Sequence, residues 1–402
     1  MLRGGRIVDG GGLSPRTVAV RDGAIAALFS PTAPASAREV IDVDGCIVLP
    51  GLVDAHVHFR EPGLTHKEDF ESGSRAAALG GVTTVMVMPT DKPMTQTAQQ
   101  FAEKRALAEG RSHVDFALQA LLGPDFANVG ALAAQGAASF EIFMGLLEPK
   151  IDDDETLAAA LTIVREAGGV AAVTPLVEAR DVARVVAAHR RAGGRVHLRQ
   201  ISSAGGVDAM QGAAAGLTSE VTPHNLWLTE EALARLGALA KVFPPLRPQA
   251  DVDAVRKALT EGRISMVATD HAPHTPEEKA AGVERAPGGF PGVQTMLPLL
   301  LKLLDYQDLV RVACEAPARA FGFFPRKGTL QPGADADVVV VDPSRPMEIR
   351  DEDQASKARR TPFNGWSAPA TPVMTLLRGQ VIARDGKMVS RPVGLHLKPG
   401  RM

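Results

Sequence analysis

The chain has 402 residues, of which 45% are hydrophobic and 22% are charged, and its formal net charge is −2. This composition excludes disordered and collagen-like proteins. The small net charge argues against a nucleic-acid or anionic-membrane partner held by bulk charge. Only Cys46 and Cys314 occur, so no disulfide framework is expected, and no apolar run reaches the roughly 18 residues of a membrane span. We expect a cytoplasmic protein with one large domain and one smaller domain.

The N-terminal segment consists of short β-rich stretches punctuated by glycine and aspartate, such as TVAVRDGAIAALF and REVIDVDGCIVLPG. The C-terminal region has the same pattern in GADADVVVVDPS and RGQVIARDGKMV. Both patterns predict β-hairpins. Because the chain leaves this pattern and later returns to it, we predict that residues 1–50 and 330–402 together form one small composite β-sandwich domain.

Between the two ends, residues 51–329 alternate β-rich stretches with alanine-rich stretches of helical spacing, such as DVARVVAAHRRAGG. This alternation predicts a parallel sheet. The number of units favours a closed (β/α)8 barrel over an open doubly wound sheet. The predicted strands lie within IVLPGLVDAHVHF, VTTVMVMP, VDFALQALL, AASFEIFM, GVAAVTPL, RVHLRQIS, EVTPHNLWL and ISMVATDHAP.

Polar residues follow several of these strands at their C-terminal ends, where barrel enzymes carry their active sites. His56 and His58 end the first strand, and residues i and i+2 of an extended strand point to the same side. Glu141 lies on the fourth strand, and Asp270 follows the last. Imidazoles and carboxylates together suit zinc and similar divalent ions. The sequence therefore predicts a metal site made of His56, His58, Glu141 and Asp270.

These motifs resemble those of dihydroorotase-type members of the amidohydrolase superfamily, and the resemblance covers essentially the whole chain. The segments that carry it are PGLVDAHVHFREPG, GGVTTVMVMP, SFEIFMG, VTPHNLWLT, PPLR, ATDHAPHTPEEK and the C-terminal GADADVVVVDP. The resemblance implies a (β/α)8 barrel beside a composite β-sandwich, in agreement with the pattern of elements. It also implies metal-dependent opening or closure of a cyclic amide, with dihydroorotate as the leading substrate, and a homo-oligomer.

Some family residues carry over directly. His56 and His58 match the metal ligands of the first strand, and Asp270 matches an aspartate that binds metal and transfers the proton. Arg60 matches an arginine that receives the substrate carboxylate, for which a guanidinium is suited by charge and shape. His274 matches a histidine near the substrate ring. The resemblance thus implies Asp270 as the catalytic residue.

Other positions depart from the family pattern. Glu141 stands where relatives carry a carboxylated lysine that bridges two metal ions, and Thr174 and Gln200 stand where they carry histidine ligands. Thr90 replaces an asparagine that helps to hold the substrate carboxylate. His197, a further histidine of the sixth strand, is expected by strand alternation to point away from the site. The first metal site is therefore expected to be intact and the second to be lost, with one Zn²⁺ per chain.

Two readings follow. In the first, the protein is a single-metal enzyme: Asp270 moves the proton, Arg60 and His274 hold an anionic substrate with Thr90, and Gln200 donates to the scissile carbonyl. In the second, it is a non-catalytic homologue that acts as a scaffold for aspartate transcarbamoylase. The altered pocket leaves hydantoins open as substrates. The glycine-rich segment 280–292 is either a loop that closes over the site or an ordinary surface loop.

Overall fold

The computed structural model describes residues 1–9, 12–34, 36–123, 125–145 and 147–400. Within these residues the chain forms a (β/α)8 barrel and a β-domain that contains strands from both termini. The predicted fold class is confirmed. Positions 10, 11, 35, 401 and 402 of the predicted terminal domain lie outside the described residues.

The N-terminal strands belong to the β-domain. They are β1 (Leu2–Arg3), β2 (Arg6–Asp9), β3 (Gly12–Pro15), β4 (Thr17–Arg21), β5 (Ala24–Phe29), β6 (Ile41–Asp42) and β7 (Ile47–Pro50). The barrel begins directly after β7, because only Gly51 separates this strand from the first barrel strand.

The barrel strands follow one another in parallel and close into a ring. Closure is made between the last and first strands, where the His58 backbone N–H donates to the His271 carbonyl over 2.7 Å. The third strand is split at Gln119. The strands are β8 (Leu52–Val57), β9 (Val82–Val87), β10 (Asp115–Leu118) with β11 (Ala120–Leu121), β12 (Phe140–Phe143), β13 (Val170–Thr174), β14 (Arg195–Leu198), β15 (Leu217–Val221) and β16 (Met266–Val267).

The helices cover the outside of the barrel. In α5, for example, Val182, Val185 and Val186 are buried while Arg190 and Arg191 at its end face solvent, as an amphipathic helix requires. The helices are α1 (Phe70–Leu79), α2 (Ala98–Ala108), α3 (Val129–Gln135), α4 (Asp154–Glu166), α5 (Glu178–Ala192), α6 (Ala204–Ala209), α7 (Pro223–Trp227), α8 (Glu231–Leu236), α9 (Gln249–Thr260), α10 (Pro276–Lys279), α11 (Met296–Leu300), α12 (Tyr306–Val310) and α13 (Ala316–Ala320). Among the described residues, none of these helices has the length and apolar character that a membrane crossing requires.

The seventh barrel strand is shorter than the sequence pattern predicts. β15 ends at Val221, and Thr222 then caps α7 by accepting a hydrogen bond from the Asn225 backbone N–H. Pro223 occupies the first turn, where its missing N–H costs nothing. This cap places His224 on a short helix at the barrel mouth rather than on a strand.

The C-terminal strands return to the β-domain. They are β17 (Val338–Asp342), β18 (Met347–Glu348), β19 (Ser367–Ala368), β20 (Thr371–Leu377), β21 (Gln380–Arg384) and β22 (Lys387–Met388). One sheet has the order β22-β21-β20-β17-β7-β2-β3, in which β17 pairs antiparallel with β7, so strands from both ends form one sheet. Val48, Val338 and Leu376 belong to its buried apolar core. The domain limits at residues 50 and 330 stay a prediction.

A buried ion cluster joins the two domains. Lys327, which is 1% exposed, donates from Nζ to Asp115 Oδ2 and Asp337 Oδ2, each at 2.6 Å, and lies 2.8 Å from Asp335 Oδ2. Asp115 begins barrel strand β10, whereas Asp335 and Asp337 lead into β17 of the β-domain. Because Lys327 binds carboxylates from both sides, it ties the barrel to the β-domain.

Candidate active site

His56, His58 and Asp270 meet at the C-terminal end of the barrel, where one side-chain nitrogen or oxygen from each lies within 4.8 Å of the others. Both imidazole Nε2 atoms face the same carboxylate oxygen. Asp270 Oδ1 is 3.3 Å from His56 Nε2 and 3.1 Å from His58 Nε2. His56 and Asp270 are buried, and the His58 side chain is only 13% exposed. Electron-pair donors held this closely, with little access to water, form a preorganised site for a cation.

The far side of each imidazole is held by a separate acceptor. His56 Nδ1 lies 2.6 Å from Glu220 Oε1, and His58 Nδ1 lies 2.8 Å from Thr90 Oγ1. These acceptors favour the tautomer with the proton on Nδ1, which leaves the Nε2 lone pairs free to bind a metal. Two such nitrogens and a carboxylate fit a divalent ion of the zinc type. Thr90, predicted as a substrate contact, here orients His58.

The surrounding charges suit this role. Burial acts to raise the pKa of Asp270, but His56, His58 and His224 together hold that pKa at about 2. Burial lowers the pKa of His58 to about 3, so this imidazole is neutral and can act as a ligand. Burial also opposes protonation of His56, but the carboxylates of Asp270 and Glu220 outweigh it and raise the pKa of that imidazole.

Gln200 holds Asp270 in place from the other side. Its amide nitrogen donates to Asp270 Oδ2 over 2.7 Å and to the Phe243 carbonyl over 3.1 Å. Both amide hydrogens are therefore used in this structure, and donation from Gln200 to a substrate carbonyl stays a prediction. Gln200 has a backbone φ of +54° and Asp270 one of +48°, a region that non-glycine residues rarely adopt. Such strain is typical of functional sites.

Glu141 lies outside this group of three, and its role as a fourth metal ligand stays a prediction. Its Oε1 accepts hydrogen bonds from Ser139 Oγ and from Arg199 Nη2, both at 2.7 Å, and its Oε2 lies 3.2 Å from Arg199 Nε. The carboxylate is fully buried and both of its oxygens are satisfied by the guanidinium. In this structure Glu141 is therefore a partner of Arg199.

His197 points into the barrel interior, with Nε2 2.9 Å from Glu220 Oε2. His197 and Arg199 share one face of the sixth strand, whereas the positive φ of Gln200 breaks the alternation that the sequence argument assumed. His197 stays outside the group formed by the metal-ligand candidates.

The sequence argument missed Arg199 and Glu220 as members of the interior network. A usable signal was present, because two charged residues on buried parallel strands need partners inside the barrel. Thr174, at the place of a family histidine, has a buried hydroxyl without a hydrogen-bond partner among the described residues. The fifth and sixth strands therefore add no nitrogen ligand to the site.

Arg60 and His274 lie together beside the metal-ligand candidates. Arg60 Nη2 is 3.1 Å from His274 Nε2, and Arg60 Nε donates to the Pro273 carbonyl. Burial, followed by the charges of Arg60 and Lys67, lowers the pKa of His274 to about 4, so the imidazole is neutral. The positive charge of Arg60 is therefore not opposed by a charge on the neighbouring His274 imidazole. Contact of either residue with a substrate remains a prediction.

A cavity of about 160 Å³ is lined in part by His274, and His56, His58 and Asp270 are not among its lining residues. Its wall combines apolar side chains with cations, among them Leu236, Lys279, Phe290 and Arg360. Arg360 belongs to a C-terminal segment, so residues beyond the barrel shape this cavity.

The segment 280–292 packs onto the barrel mouth. Lys279, which directly precedes the segment, donates from Nζ to three carbonyl oxygens, those of Ala238, Lys241 and Pro287, at 3.0 to 3.2 Å. Near its end, the Phe290 ring stacks edge-on against His224 with ring centroids 5.2 Å apart. The segment therefore packs beside the site, and its role as a loop that closes over the site stays a prediction.

The comparisons with known proteins agree with this geometry. The amidohydrolase family model matches residues 47–382. The chain is 41% identical to the dihydroorotase of Halobacterium salinarum, covering 87% of this chain and 89% of that protein. It is 35% identical to the allantoinase of Rubrobacter xylanophilus, over 100% and 98% of the two chains. The solved L-hydantoinase (dihydropyrimidinase) of Arthrobacter aurescens superposes with a TM-score of 0.91 at 29% identity, over 99% of each chain.

These matches show that the chain belongs to the amidohydrolase family. Within the family it is dihydroorotase-like, and its solved structural neighbours are cyclic amidohydrolases.

Proposed function

We propose that this protein is a metal-dependent cyclic amidohydrolase that interconverts dihydroorotate and N-carbamoyl-aspartate, a step of pyrimidine biosynthesis, with one zinc ion per chain. The observation that carries the proposal is the convergence of His56 Nε2 and His58 Nε2 on Asp270 Oδ1. The identity of 41% to a dihydroorotase supports the choice of substrate.

In the proposed reaction, His56, His58 and Asp270 hold the metal. A bound divalent ion supplies a Lewis acid that polarises the amide carbonyl and lowers the pKa of water. Asp270 accepts the proton of the attacking water and returns it to the leaving ring nitrogen. Gln200 keeps the Asp270 carboxylate in one orientation through its 2.7 Å hydrogen bond to Oδ2. The nearly buried site keeps bulk water away from the reacting groups.

We expect one divalent ion per chain, and no second, in protein purified without a chelator. The reason is that Thr174 and Gln200 provide no nitrogen ligand and the Glu141 carboxylate is already held by Arg199. Elemental analysis measures the ratio of metal to protein directly. His58→Ala should reduce it strongly, and two ions per chain at the barrel mouth would contradict the prediction.

Arg60→Ala is expected to raise KM for dihydroorotate by about 10- to 100-fold, with a smaller effect on kcat. The lost contact is a charge-assisted hydrogen bond to the substrate carboxylate, of about 1.5–3 kcal/mol. Steady-state kinetics separates the two constants. Arg345→Ala, which removes an exposed arginine of the β-domain, is the control for loss of charge. An unchanged KM in Arg60→Ala would show that Arg60 does not bind the substrate.

The alternative is a non-catalytic scaffold for aspartate transcarbamoylase. It is favoured by Thr174 and Gln200 at the places of histidine ligands. A hydantoinase-like activity is a further alternative, supported by the structural neighbours.

One assay separates these functions. Dihydroorotate, N-carbamoyl-aspartate, hydantoin and allantoin are each supplied to the protein with added zinc, alone and with a purified aspartate transcarbamoylase. Turnover of dihydroorotate supports the proposal, and turnover of hydantoin alone supports the hydantoinase-like function. Absence of turnover with every substrate, combined with formation of a complex, would establish the scaffold.

A further inference from the structure

Arg199 is a fully buried cation in the barrel interior with a complete set of partners. Its guanidinium donates to both carboxylate oxygens of Glu141, to Glu220 Oε2 over 2.8 Å, to the Ala55 carbonyl over 3.0 Å, and to Gln119 Oε1. A buried charge is tolerated only when it is paired and hydrogen-bonded. Here one guanidinium compensates two buried carboxylates at the centre of the barrel.

Glu220 connects this cation to the metal-ligand candidates. Its Oε2 accepts from Arg199 and His197, and its Oε1 faces His56 Nδ1 at 2.6 Å. Glu141 binds the same guanidinium, but its other side-chain partner is Ser139. The two carboxylates therefore resemble each other in burial and in their contact with Arg199. They differ in that only Glu220 touches a candidate ligand.

The charges of this network leave room for a single divalent ion. Among the charged side chains that contact the side chain of Arg199, His56 or His58, Glu141, Glu220 and Asp270 contribute three negative charges and Arg199 one positive charge, which leaves two negative charges. One divalent ion balances this remainder. A second ion would have to share the interior carboxylates with a guanidinium that already holds them, and like charges at such distances repel strongly.

We propose that Arg199 is a built-in cation of this site, which excludes a second metal ion from the interior carboxylates and, through Glu220, orients His56 toward the single ion. Glu220 is a positioning residue for His56, and Arg199 acts through Glu220 and through its own charge. The inference rests on the proposed single-ion function, but its tests measure metal binding and need no substrate.

The matched variants Glu220→Gln and Glu141→Gln test the orienting contact. Each removes one buried carboxylate from Arg199, and only the first alters the acceptor of His56. Co²⁺ affinity is measured for each folded protein by competition with a chelating dye. Glu220→Gln is expected to weaken Co²⁺ binding by about 10- to 100-fold, the usual effect of losing a carboxylate behind a ligating histidine. Glu141→Gln should bind Co²⁺ close to the wild-type level. Equal losses in both variants, or no loss in Glu220→Gln, would overturn the orienting role.

The variants Arg199→Met and Arg199→Lys test the exclusion of a second ion. At saturating Co²⁺, Arg199→Met is expected to bind more than one equivalent, because two interior carboxylates have lost their cation. Arg199→Lys keeps the charge and should stay at one equivalent. A folded Arg199→Met protein that binds one equivalent, or a wild-type protein that binds two, would overturn the inference.

If Arg199→Met does not fold, the inference is tested by the Co²⁺ stoichiometry of the wild-type protein and by the Co²⁺ affinities of Glu220→Gln and Glu141→Gln. These outcomes are separate from the proposed function. A wild-type protein that binds one Co²⁺ but turns over no cyclic amide would refute the enzyme and leave this inference standing.

Discussion

Asp270→Asn is expected to lower kcat for dihydroorotate by about 10²- to 10⁴-fold, the range that general acid–base catalysis contributes. An amide cannot accept the proton of the attacking water, and it is a poor zinc ligand. The fold should survive, because asparagine tolerates the positive φ of +48° at this position better than most residues. The measurement is the steady-state interconversion of dihydroorotate and N-carbamoyl-aspartate, together with circular dichroism of both proteins.

Asp253→Asn is the control for Asp270→Asn, because Asp253 is an exposed residue of α9 whose loss of charge should leave turnover unchanged. A lower melting temperature in Asp270→Asn could come from the substitution itself or from lost metal, since loss of a bound metal also lowers stability. Both proteins are therefore melted with and without a chelator. If wild type and Asp270→Asn turn over dihydroorotate at the same rate, Asp270 is not the proton-transfer residue.

Lys327→Met should lower the free energy of unfolding by about 3–5 kcal/mol, the usual cost of removing one partner from a buried ion pair. Lys327 Nζ lies within 2.8 Å of carboxylate oxygens from Asp115, Asp335 and Asp337. Without the lysine, these carboxylates face one another in a buried junction between the barrel and the β-domain. Burial already raises the pKa of Asp337 despite the presence of Lys327. Urea unfolding followed by circular dichroism measures the loss.

Arg326→Met provides the matched control for Lys327→Met. Arg326 pairs with the same Asp335 at 2.9 Å, but its side chain is 51% exposed. Exposed pairs contribute about 0–1 kcal/mol, so the control should change stability little. Equal effects of the two substitutions would show that the junction is not held by the buried lysine.

Much of the fold could be predicted from the sequence, because strands and helices leave local periodic patterns. The alternation of β-rich and alanine-rich stretches predicted the barrel, and the shared pattern at both ends predicted the composite sheet in which β17 pairs with β7. Spacing along one strand placed His56 and His58 together. Local rules failed where the backbone leaves its regular path, as at Thr222, which starts a helix, and at Gln200, whose positive φ turns its side chain toward Asp270.

The sequence by itself thus placed His56, His58 and Asp270 at the C-terminal ends of barrel strands, since that depends on periods of two and of 3.6 residues. Only the tertiary structure decided which partners they have. Glu220 meets His56 across 164 residues of chain, and Arg199 meets Glu141 across 58. The physical reason is that a buried charge binds the compensating group that packing brings nearest, and that group lies on another strand. For Glu141 that group is the guanidinium of Arg199.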